Sequence, residues 1–310
     1  MAPRVIHTAQ ALVDAVMEVP RLPHRGGNVM ATSYRRYAGG AVNVLLAAAR
    51  SGARTVHAGS IGTGPNGDLV RRVLSAEGVE VSAPQVEGLD TGVCVVLVEP
   101  TAERSFVTTQ GAERQVSVAS LATSAPTVGD LVCISGYSLV GRTRDPLVEW
   151  VTGLPTGVDV VLDPGATFVE VAESVRDAVL ARTTVWTGNA EETEGLAGVS
   201  GLREAAEVVV SLLPERAVVV VRDGPRGCLV REAGGETFLH GYPQRPVDTN
   251  GAGDTHTGVL LAERVSGAGW VDAAARANAA GALKVTRRGP DTAPTRAEID
   301  EFLRRHPAAS

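Results

Sequence analysis

The chain of 310 residues is poor in aromatic side chains, at 4%, and holds only three cysteines. Cys94, Cys133 and Cys228 lie apart in apolar, β-like runs without metal-ligand spacing, which argues against a disulfide framework or a zinc site and fits a reducing compartment. No apolar stretch reaches the roughly 18 residues of a membrane span, and no charged-plus-apolar leader opens the chain. A cytoplasmic protein free of the membrane is expected. A basic block is also missing: 29 Lys and Arg against 35 Asp and Glu leave a net charge of −6, so a nucleic-acid partner is not expected.

What is present suits a large α/β unit. Hydrophobic residues reach 44%, and 35 glycines with 17 prolines provide for many short strand-to-helix connections around a substantial core. Residues 5–13 read as a first strand with Asp14 just beyond it. Residues 93–100 and 104–108 read as a hairpin about the turn 100–103. From residue 115 strands and helices alternate: strand at 130–137, helix at 146–150, strand at 158–164, and a further strand ending near Trp186. This order predicts a mainly parallel sheet flanked by helices, with ligands at the strand C-terminal ends. Residues 217–221 (Ala-Val-Val-Val-Val) are continuously apolar and are expected to form a central parallel strand covered on both faces.

The chemistry concentrates in Asp248-Thr249-Asn250-Gly251-Ala252-Gly253-Asp254-Thr255, which follows an extended segment and opens an apolar helical run stopping at Gly267. Glycines on either side of Ala252 let backbone approach a ligand, so the amides of Gly251, Ala252 and Gly253 could face an anion from a helix N-terminus. A carboxylate in that first turn would repel the anion unless it faces the reacting group. Asp254 therefore reads as a general base beside an anion hole, while a glycine-rich turn that Asp254 merely caps accounts for the tetrapeptide as well.

Other segments carry two readings each. Gly39-Gly40 followed by Asn43 is a glycine turn into an Ala/Leu-rich helix, and also a place where a substrate could lie on the backbone with Asn43 bonding its hydroxyls. Asn189 and Glu192 have the spacing of a capping box and share the first helical turn. Asp14 taken alone is a solvent-facing strand residue, and Arg104 is either a solvated hairpin arginine or one that reaches phosphate or substrate.

The string from Asp248 to Thr255 resembles the C-terminal signature of the ribokinase-like (PfkB) carbohydrate kinases, and Gly39-Gly40-x-x-Asn43 their N-terminal one. The resemblance implies a three-layer ribokinase-like fold. It also implies one domain over 1–310, with a small β-sheet lid made of two insertions, about 13–37 and 91–110. It implies an ATP-dependent kinase that transfers the γ-phosphate to a hydroxyl of a sugar, with a nucleoside such as adenosine or pseudouridine as the alternative and a non-catalytic sugar-binding protein as a further one. Asp254 would act with Gly251, Ala252 and Gly253. Asp14, Gly39, Gly40, Asn43 and Arg104 would hold the acceptor. Asn189, Arg222, Gly224, Gly227 and Asn278 would line the ATP site, Asn278 being also readable as a buried helix Asn satisfied by backbone. Glu192 would reach Mg²⁺ through water. A monovalent cation such as K⁺ and a homodimer through the lid are left open. The chain departs from the family pattern in lacking an arginine after Asp163-Pro164-Gly165, in placing Arg222 where Thr or Lys is usual, and in carrying His256 where Phe is common; His256 is read as a packing residue.

Overall fold

The computed structural model describes residues 2–101 and 103–306; Ala102, in the expected hairpin turn, lies outside them. The first half of the chain forms β1 (Arg4–His7), β2 (Ala11–Glu18), β3 (Ser33–Gly40), α1 (Ala41–Arg50), β4 (Arg54–His57), α2 (Pro65–Ala76), β5 (Glu80–Val81), β6 (Val93–Val98) and β7 (Arg104–Thr108). Then come α3 (Val118–Ala122), β8 (Leu131–Ser135), α4 (Arg144–Thr152), β9 (Asp159–Asp163), α5 (Glu173–Leu180), β10 (Val185–Asn189), α6 (Ala190–Ala197), α7 (Leu202–Ser211) and β11 (Val218–Arg222). The chain closes with β12 (Gly227–Glu232), β13 (Gly235–His240), α8 (Ala252–Val265), α9 (Trp270–Val285) and α10 (Arg296–Arg305).

Nine strands make one sheet in the order β13-β12-β11-β10-β9-β8-β1-β4-β5, parallel from β11 to β5. Its strands alternate two apolar faces, as period-2 geometry requires when helices cover both sides. One face, with Ile6, Val132, Val160 and Trp186, packs on α3, α4, α5 and α7. The other, with Val5, Cys133, Val161 and Val220, packs on α1, α8, α9 and α10. Among the described residues no helix is long and apolar enough to cross a membrane.

β11 is covered on both faces but does not sit inside the parallel array. It pairs in parallel with β10 and antiparallel with β12, because the short link 223–226 can only make a hairpin. The first strand also differs from expectation. Residues 5–13 are not continuous: β1 stops at His7, whose Nδ1 accepts the Ala9 amide at 3.2 Å, and the chain enters a second sheet as β2. Asp14 therefore stands in mid-strand, opposite Tyr37 and Cys94, rather than beyond a strand end.

This second sheet, ordered β3-β2-β6-β7, draws its strands from 11–40 and 93–108. It is tied to the rest by an ion pair of Arg288 with Glu18 and by Arg104, described below. Two helices position the chemistry. α1 is buried from Ala41 to Ala48, and α8 crosses it at Gly258, where an added Cβ would overlap the Val44 carbonyl and come within 2.7 Å of the Ala47 Cβ. Only a residue without a side chain lets the two backbones meet there.

Candidate active site

Gly251 caps α8 in the left-handed region, φ 77°, and a Cβ on it would lie 2.9 Å from the Pro290 carbonyl. The Asp248 carboxylate braces the preceding turn by accepting the amides of Asn250 and Gly289, each at 2.9 Å. Ala252 donates its amide to the Thr249 carbonyl at 3.2 Å, which closes the turn. Of the three amides of the expected cradle, Ala252 is thus engaged, while those of Gly251 and Gly253 have no protein acceptor among the described residues.

Asp254 follows in the first turn and lines a cavity of about 590 Å³. Its Oδ2 accepts 2.9 Å from the Asn43 Nδ2, so the α1–α8 crossing brings together two residues far apart in sequence. Asn43 is buried, and its Oδ1, itself shielded from solvent, has no hydrogen-bond partner among the described residues. Burial pushes Asp254 up to about 6; Asp163 adds to the rise, and the Asn43 hydrogen bond, Arg222 and Lys284 oppose it. Asp14 is 9% exposed and raised to about 7, by burial and then by the charge of Asp254. The charge of Asp254 thus adds to burial in pushing Asp14 toward its neutral form.

That strain is a stability statement. Between about pH 4 and 7 the folded chain holds more protons on Asp14 than the unfolded chain does, so this contribution falls as pH rises and the penalty is complete above about 7. Asp14→Asn should therefore stabilise the ligand-free protein by about 4 kcal/mol above that pH, with the gain shrinking toward pH 4. Melting temperatures of both proteins across the range check this; a gain independent of pH would show that the Asp14 charge is not its source.

The remaining expected residues are found as follows. Gly39 and Gly40 are needed by the fold: a Cβ on Gly39 would overlap the Asp14 carboxylate, and Gly40, at φ 66°, would meet the Gln10 carbonyl. The space over Gly39 is thus taken by Asp14. Arg104, half-buried and lining a second cavity described below, donates to the Asp248 Oδ1 and the Thr249 Oγ1, each at 3.0 Å, clasping the small sheet to the turn. Asn189 and Glu192 form a complete capping box, each side chain accepting the other's amide at 2.8 Å. Gly224 and Gly227 line the cavity, but Gly227 is also required where β12 passes the Leu239 carbonyl. Asn278 lines the cavity with both amide ends engaged, donating to the Leu239 carbonyl and facing the His256 Nε2 at 3.2 Å. Burial holds His256 down to about 3, so it is neutral, consistent with packing rather than a second base.

Arg222 is the residue whose surroundings differ most from a nucleotide-facing cation. Its Nη1 donates to the Thr257 Oγ1 at 2.9 Å, the Thr187 Oγ1 at 3.0 Å and the Thr187 carbonyl at 3.1 Å, and lies 3.4 Å from Asp163. Its Nη2 is 3.6 Å from Glu192. The guanidinium therefore forms the floor of the cavity, with Gly253 just above. Sequence reasoning assigned no role to Asp163, Thr187 or Thr257. Asp163 ends β9, where ligands of parallel sheets collect, Thr187 lies in the middle of β10, and Thr257 lies three residues after Asp254 on the same helix face.

A second cavity, about 530 Å³, lies between the small sheet and the turns at 246–250 and 288–290. Thr249 lines both cavities.

A mainly parallel α/β sheet, a glycine turn with a carboxylate in the helix turn that follows, and a separate small sheet together define a ribokinase-like fold. The chain belongs to the pfkB family of carbohydrate kinases, which it matches over residues 4–296, and is thus a phosphotransferase acting on an alcohol group. It is 30% identical over 302 residues to the "Uncharacterized sugar kinase YegV" of Escherichia coli (strain K12), covering 95% of this chain and 92% of the relative. It is 27% identical over 300 residues to the ribokinase of Haemophilus influenzae, with 94% and 95% covered. A putative ribokinase II from E. coli, solved in complex with ATP and Mg²⁺, superposes with a TM-score of 0.84 at 24% identity over 98% of this chain and 100% of that one, which establishes the ribokinase-like fold.

Proposed function

We propose that the chain transfers the γ-phosphate of ATP to a hydroxyl of a sugar, with Asp254 as general base. The observation that carries this is the Asn43–Asp254 pair: a carboxylate raised to about 6 beside a buried, unpartnered amide oxygen and next to two free amides. In this reading the Asn43 Oδ1 and Asp14 hold the acceptor, Asp254 takes the hydroxyl proton as the oxygen attacks, and the Gly251 and Gly253 amides receive the transferring group's charge. The 590 Å³ cavity, with its open glycine edge at Gly224, suits a nucleotide, and Arg222 supplies fixed positive charge below it. Mg²⁺, when bound, neutralises phosphate charge. Among the described residues no cluster of three carboxylate, His or Cys side chains could hold the ion alone, which fits Glu192 acting through water and phosphate oxygens supplying the direct ligands. The small sheet, clasped through Arg104, would keep water from the reacting phosphate.

A sugar is favoured over a nucleoside because aromatic walls are few. Tyr137 and Tyr242 line the Asp254 cavity and Tyr37 the second one, whereas Phe106 and Tyr34 are each 57% exposed on the small sheet. ADP release over a panel of sugars and nucleosides tests the proposal. Release that requires a sugar supports it, release only with a nucleoside transfers it to the alternative, and tight sugar binding without any ADP overturns catalysis.

A further inference from the structure

Lys284, in the last turn of α9, has no exposed surface, although lysine is rarely buried without a counter-charge. Among the described residues no carboxylate lies within ion-pair distance of its ammonium. The Nζ donates instead to two backbone carbonyls, Asp248 at 3.1 Å and Arg287 at 3.4 Å. These carbonyls belong to two segments that meet behind the glycine turn. The Val285 carbonyl accepts the amides of Val247 (2.7 Å) and Asp248 (3.1 Å), Gly289 donates to the Asp248 carboxylate, and the Pro290 carbonyl abuts Gly251. Lys284 is the fully buried cation at that seam, holding backbone carbonyls, while Arg104 reaches the same turn from the small sheet through the Asp248 carboxylate and the Thr249 hydroxyl. Its ordinary use at a helix C-terminus, an exposed charge on the last carbonyls, would not require complete burial.

The geometry points to Lys284 as a positioning residue for phosphoryl transfer, a built-in monovalent cation that fixes the Asp248–Gly251 turn so that the Gly251 and Gly253 amides are held in place. This rests on the reading of those amides as the anion site. It follows that turnover needs no added monovalent cation. Burial lowers the lysine's affinity for its proton, while Asp248, Asp291 and Asp254 work to keep the charge.

The test measures turnover of the wild type and of Lys284→Met, with ATP and the acceptor found above, in chloride salts of tetramethylammonium, sodium, potassium and ammonium at equal ionic strength. The wild type is expected to be indifferent to the cation. Lys284→Met should lose about 100-fold in kcat, as displaced catalytic groups do, with both KM values nearly unchanged, and should recover in potassium or ammonium but not in tetramethylammonium. A wild type that depends on potassium overturns the inference, as does a folded Lys284→Met that keeps full kcat or that no small cation restores. If that variant does not fold, the wild-type series decides alone. A wild type that releases no ADP with any acceptor is a separate result, and speaks against the kinase reading before any cation is varied.

Discussion

Replacing Asp254 by Asn should lower turnover by about 10³-fold while leaving the KM for ATP within a few-fold, because the substitution removes proton acceptance and little else. Asparagine keeps the size of the side chain and an oxygen that can still accept from the Asn43 Nδ2, so the helix crossing stays intact. The wild type should show why the carboxylate matters. A general base works ionised, and with Asp254 raised to about 6 the rate should fall as pH drops through that value. The asparagine variant's residual rate should not follow this limb. Steady-state ADP production across pH measures both effects. Near-normal turnover in the variant would remove Asp254 as the base and return it to a helix cap.

The second large effect concerns stability as well as activity. Arg222→Met takes away from Asp163 and Glu192 the only close cation among the described residues and strips donors from Thr187 and Thr257, all largely shielded from solvent. Breaking a buried pair from one side costs about 3–5 kcal/mol, since the abandoned charge stays buried. The expected drop in melting temperature is roughly 10 °C. Glu192 is already raised by burial, and without Arg222 opposing that rise it should take up a proton more readily. Because the guanidinium also underlies Gly253, the KM for ATP should increase. Arg222→Lys should recover part of the charge effect and little of the bonding, because one ammonium cannot span several acceptors as a planar fork does. Unchanged melting and unchanged KM in the methionine variant would show that the network carries neither load.

These two residues also mark how much was legible beforehand. Asp254 and its helix could be placed because glycine turn, carboxylate and apolar run are contiguous. The α/β order was readable for the same reason, since each strand and helix announces itself locally. The break after His7 was not, because an alternating pattern continues unaltered when a strand leaves one sheet for another. Arg104 and Arg222 each looked like a free cation at a strand end, yet their partners lie on turns and strands far along the chain. Lys284 gave no signal at all. In an Ala-rich helix a lysine reads as solvent-facing, and only the docking of residues 247–251 covers it. Asn189 and Glu192 were ambiguous, and the capping box the sequence allowed is the one that forms.

The contact of α1 with α8 at Gly258 has a bearing on how such a protein could be redesigned. Because backbone rests directly on backbone there, the spacing between Asn43 and Asp254 has no adjustable side chain in it. Substitutions aimed at a new acceptor are best introduced on the small sheet of β2, β3, β6 and β7, which takes no part in that helix crossing. Even a single methyl group at Gly258 would pry the two helices apart and break the Asn43–Asp254 hydrogen bond.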